Sequence, residues 1–212
     1  DEPRLRDGEA EGSQHSIVEP GRLRRAVLVV AGLNFAYFWV EVAVALAIGS
    51  VALFADSVDF LEDAAVNVLI FLALGWPLAR RALAGKVMAL VILIPALAAA
   101  WQAFSKVGNP EPPDPLLLAI TAGGAMVVNG ICAWVLWKLR HDGGSMSTAA
   151  FLAARNDVLI NLAIILVAVV TVWTSSGWPD ILLGAVIIVL NVTAAREVWE
   201  VATEERLAAK AL

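Results

Sequence analysis

V-A-L-F-A-D-S-V-D-F-L-E-D-A-A-V-N, residues 51–67, decides how this chain is read. The stretch lies inside a hydrophobic segment long enough to cross a membrane, yet it carries Asp56, Asp59 and Asp63. On a helix these fall three and four residues apart and share one narrow face, which Asn67 extends by a turn. A carboxylate in the hydrocarbon core costs roughly 2.5–3.5 kcal/mol on insertion scales and more in simulations. A face carrying several of them is not there to meet lipid. It is expected to receive something positively charged, reached through water or protein.

The rest of the composition agrees with a membrane setting. The chain has 212 residues, of which 60% are hydrophobic and 17% charged, with a mean hydropathy of +0.78. That is a polytopic membrane protein, not a soluble domain. The single cysteine, Cys132, excludes an intrachain disulfide and a Cys-rich metal site. The two histidines, His15 and His141, fall outside the apolar segments, so no intramembrane imidazole is available as metal ligand or proton relay. The net charge of −5 comes mostly from the polar N-terminal stretch and the intramembrane acids. Residues 1–21 lack an apolar core, so they read as a flexible cytoplasmic tail rather than a signal peptide.

Hydropathy predicts an all-α fold of six transmembrane helices, at about 26–48, 51–74, 87–104, 116–136, 148–173 and 179–198. Residues 22–200 form the transport domain of this reading, and 201–212 a short C-terminal tail. Gly49-Ser50 leaves room for only a tight turn between the first two spans. Pro95 lies inside the third and should kink it. The proline-rich run Asn109-Pro-Glu-Pro-Pro-Asp-Pro115 is a stiff loop. Arg and Lys gather before span one, between two and three, between four and five, and after six. By the positive-inside rule both termini are cytoplasmic. Trp76, Trp101, Trp137, Trp173, Trp178 and Trp199 sit near span ends, as interfacial anchors do.

Span five contributes a second polar constellation, A-A-R-N-D-V-L-I-N, residues 153–161. Asp157 and Asn161 are four apart and share a face. Asn156 lies about 100° around the helix from Asp157 and reaches such a site only at its margin. If this helix faces span two, Asp59, Asp63 and Asp157 surround one centre. Oxygen donors at that density suit a divalent cation and repel one another without a cation or protons. Protons and the ion then compete for the same oxygens, and exchange of one for the other follows.

The runs G-S-V-A-L-F-A-D-S-V-D-F-L-E-D-A (49–64), R-R-A-V-L-V-V-A-G-L-N-F-A-Y-F-W-V-E (24–41) and R-N-D-V-L-I-N (155–161) resemble the cation diffusion facilitator family. The resemblance covers roughly the whole membrane portion. It implies a cation/proton antiporter, most often for zinc, usually a homodimer, exporting metal from the cytoplasm. The family's metal pairs, [HD]-x-x-x-D on spans two and five, fall on Asp59 and Asp63 and on Ala153 and Asp157. Ala153 cannot coordinate an ion, so the resemblance leaves three carboxylates, completed by water, Asn156 or Asn161. The R-N-D context looks like the manganese-type branch, which has an acid at the position of Ala153. Many members also carry a C-terminal cytoplasmic domain; this chain is expected to be a short form without one, with dimer contacts in the spans or tail.

All-oxygen ligation alone favours Mn²⁺ or Fe²⁺; the family puts Zn²⁺ first, with Cd²⁺ and Co²⁺ also open. Asp56, a turn away from Asp59, is divided between an exit-path role and a structural hydrogen bond. Glu41 on span one, sharing a face with Asn34, is divided between a pathway acid and an interhelical bond. Glu62 points away from the Asp face and is not taken as a ligand. Asn129 and Asn191 read as interhelical glue, His15 and His141 as loop residues, and Cys132 as a small apolar residue. The expected partners are the lipid bilayer, divalent metal ions, protons and a second copy of the chain. No nucleic acid and no cofactor beyond the transported ion are expected. The expected location is a bacterial inner membrane. A non-transporting subunit paired with an active relative is the alternative. An intramembrane enzyme is discounted, since the spans hold no His and no Ser-Lys pair to supply a nucleophile or base.

Overall fold

The computed structural model describes residues 20–139 and 144–211. The polar stretch before residue 20, and with it His15, lies outside them, as does His141. The described residues form six helices and no strand: α1 (Pro20–Ile48), α2 (Val51–Ala73), α3 (Leu78–Val107), α4 (Pro115–Trp137), α5 (Gly144–Thr174) and α6 (Trp178–Ala211). The all-α, six-helix expectation holds. α1 and α5 begin about six and four residues earlier than expected, and two boundaries differ more. α3 begins at Leu78, so Arg80, Arg81 and Lys86 are helical rather than in a loop, and α6 runs on through the stretch read as a tail. In both cases charged residues extend a helix beyond its apolar part, where hydropathy gives no signal. α3 also continues through Pro95.

Five of the helices are long and apolar enough to cross a membrane; α2, with four acids, is the one that is not. The packing resolves this. α2 touches α1, α3, α5 and α6, and residues 51–58 form an unbroken buried run. The other five helices turn apolar faces outward, with Trp39, Ile94, Phe104, Ile120, Leu166 and Trp173 among the exposed side chains. Exposed apolar belts of this extent belong against lipid. The protein is therefore an integral membrane protein whose lipid-compatible helices enclose an acid-bearing one.

Local chemistry fixes where α2 starts. Gly49 takes a left-handed backbone (φ +68°), which only glycine adopts without strain, and closes α1. Ser50 is the N-cap of α2, its hydroxyl accepting from the Leu53 amide at 3.0 Å. The proline-rich loop is non-helical until Asp114, which caps α4 by accepting from the amides of Leu116 and Leu117 at 2.9 Å each. Pro115 then occupies the first turn, where its missing N–H costs nothing.

Candidate cation site

Midway along α2 and α5 the carboxyl groups of Asp63 and Asp157 are drawn together as close electrostatic neighbours. Two carboxyl groups held close repel each other unless a proton or a cation lies between them. Asp157 is 9% exposed. Asp59, one turn up the same face of α2, lies within electrostatic range of Asp157, Asp63 and Asp56, and its Oδ2 is buried with no donor. Among the described residues no three His, Cys, Asp or Glu side chains are grouped so that they could hold a metal ion. Asp63 and Asp157 are thus the joined pair and Asp59 an open neighbour.

Among the described residues no base is paired with these acids. The ion pairs among the described residues are Arg81–Glu205 and Arg196–Glu200, both away from the site. Arg155, two residues from Asp157, is exposed. Buried acids without a basic partner are costly unless a mobile cation or protons serve them.

The remaining candidates separate. Asn161 is fully buried but turns to Asp56, donating from Nδ2 to Oδ2 at 2.5 Å, while its own Oδ1 accepts from Asn129 Nδ2 at 3.1 Å. It thus belongs to the tier of Asp56, toward the α1–α2 turn. Asn156 is exposed on α5 and does not join the buried acids. The side chain of Asn67 bonds back to its own helix, donating to the Asp63 carbonyl at 2.8 Å, with its Oδ1 unpartnered. Ala153 is half-buried and brings no donor atom. Asn191, read as glue, does bind across helices, donating to the Ala55 carbonyl of α2 at 2.8 Å. Glu62 faces the α6 side, near Glu197, as well as Asp157.

A cavity of about 310 Å³ opens one turn below Asp63. Val66 and Leu69 form its α2 wall, and Arg81, Glu197 and Glu205 bring charge to its α3 and α6 walls. It sits at the end of the bundle where the basic residues cluster, and none of the three aspartates lines it.

One residue that matters to the site is absent from any reading of motifs. Asp180, in the first turn of α6, is fully buried and spends its carboxylate on the start of α2. It accepts from the Ser50 hydroxyl at 2.6 Å, the Val51 amide at 2.7 Å and the Ala52 amide at 3.2 Å. Lys106 of α3 donates to the adjoining Gly49 carbonyl. Gly184 makes the approach feasible: a Cβ there would stand 2.5 Å from Val51 Cγ1 and 2.8 Å from the Ala52 nitrogen. The free amides at the start of α2 are therefore met by another helix's acid, which anchors the acid-bearing helix. The sequence does show an acid after Trp178-Pro179, but there it reads as a partner for its own helix dipole.

A comparison with known protein families matches residues 27–204 to the cation efflux transmembrane domain. The match reaches from within α1 to within α6.

Proposed function

The chain belongs to the cation efflux family of membrane transporters, and on that premise we propose that it exports a divalent transition metal, zinc first, in exchange for protons. Family membership carries cation transport and a non-enzymatic role; the cargo and the exchange are the proposal. The observation that carries it is the meeting of Asp63 and Asp157 across α2 and α5, beside an open Asp59 and without a basic side chain. In this reading Asp59, Asp63 and Asp157 take the ion, with water where Ala153 offers nothing. The ion enters from the cavity between α2, α3 and α6, at the basic and therefore cytoplasmic end. Its arrival displaces the protons that otherwise separate the carboxyl groups. Opening toward the α1–α2 turn lets protons displace the ion in their turn. Both termini are cytoplasmic, and the working unit is a homodimer.

The test is metal flux into proteoliposomes with an imposed pH gradient, across Zn²⁺, Mn²⁺, Fe²⁺, Cd²⁺ and Co²⁺. Transport should follow the gradient and vanish in Asp157→Ala while the protein stays folded. Flux that survives the substitution defeats the assignment.

Two observations favour a second reading, a non-transporting subunit paired with an active relative. A ligand position holds Ala153, and the described residues contain no preformed cage. Metal binding by the purified protein separates the two, since a silent subunit binds none at Asp63 and Asp157.

A further inference from the structure

Toward the α1–α2 turn from Asp59, a second set of buried acids is left over. Glu41 of α1 and Asp56 of α2 are both fully buried, and their carboxyl groups are electrostatic neighbours. Asp56 is held by one oxygen only, through Asn161, which Asn129 of α4 orients in turn. Three oxygens remain without any donor among the described residues: Asp56 Oδ1 and both oxygens of Glu41.

The donors nearby are already spent or out of reach. Tyr37 lies on the same side of α1, but its hydroxyl donates to the Thr121 carbonyl at 2.7 Å. The Asn161 amide is used on Asp56. Asn34 has an open Nδ2, yet it stands seven residues from Glu41, about 10 Å along the helix. An unsatisfied buried acceptor costs about 1–3 kcal/mol, more when charged. Packing alone gives no reason to hold three together. One shared proton would join one oxygen of each acid and leave another bare. A doubly charged ion meets several oxygens at once.

We propose that Glu41 and Asp56 form a second divalent-cation site, with Asn161 as the residue that positions Asp56, about one helical turn from Asp59 toward the α1–α2 turn. Its place on the ion's path rests on the transport reading above; its capacity to bind does not. An ion leaving Asp59, Asp63 and Asp157 would find its next oxygens here rather than a dry barrier.

The experiment is equilibrium dialysis of the full chain in lipid nanodiscs against Zn²⁺ alone. Wild type should bind one more ion per chain than the double variant Glu41→Gln, Asp56→Asn. Asp157→Ala should lose a different ion and keep this one, and the three changes together should bind none. Glu41→Gln alone, close in shape to the native side chain, should weaken the second ion by about ten-fold or more and guards against a folding defect in the double variant. A double variant that binds as much Zn²⁺ as wild type overturns the proposal, and a pair that carries protons only would give that result. If instead Asp157→Ala binds like wild type while the double variant loses an ion, the transport-site reading fails and this site stands. Absence of binding to wild type defeats both.

Discussion

Asp180 and Asp56 are the same residue, equally buried, on the same side of the bundle, and their surroundings are opposite. Asp180 accepts a hydroxyl and two amides. Asp56 receives one amide from Asn161 and otherwise faces another carboxyl group. The first acid is neutralised in effect by the unsatisfied donors of a helix end and is structural. The second, like Asp59, keeps oxygens that none of the described residues serves. Burial alone therefore does not mark a functional acid in this protein. The supply of donors around it does.

That contrast can be broken most sharply at Asp157. Asp157→Ala removes half of the joined pair. It should reduce metal flux in proteoliposomes by about a hundred-fold or more, the loss expected when a shared charge site is dismantled. The unfolding temperature in detergent should hold or rise, because a repelling carboxyl is gone. Asp180→Ala should do the reverse: stability falls by about 2–4 kcal/mol from three lost bonds to a buried carboxylate, read as a lower unfolding midpoint. Flux per folded molecule should fall far less than in Asp157→Ala. A collapse of transport in a well-folded Asp180→Ala protein would erase the distinction between the two acids. Ser50→Ala sharpens it further, since it removes one cap and one donor to Asp180 and should cost about 1 kcal/mol by the same midpoint measurement. Smallest of all, Arg196→Ala opens an exposed i, i+4 pair with Glu200 and should leave both midpoint and flux unchanged.

Much of this was legible before any coordinates. Hydropathy places all six helices, and the spacing of Asp56, Asp59 and Asp63 puts them on one face of the second; that α2 falls short of a lipid-compatible span by itself came from the structure. Periodicity also places Asp157 and Asn161 together. It could not say that Asn161 would serve Asp56 instead of the Asp63–Asp157 pair, because that depends on how far α5 is slid along α2. Nor could it show that Asn156 stays exposed. The helical starts of α3 and α6's long extension were hidden because charged residues at a helix end look like loop to hydropathy.

What the linear order of residues determined is a membrane bundle with an acidic helix that lipid cannot accept. The physical reason is the cost of carboxylates in hydrocarbon, which compels the other helices to surround it. The tertiary structure decided which acids are spent on the fold and which remain open. Asp180 reaches the start of α2 from a distance of 130 residues in sequence to Ser50, and Glu41 meets Asp56 from a different helix. Donor and acceptor pairing of that kind is a property of neighbours in space, and no spacing along one helix encodes it.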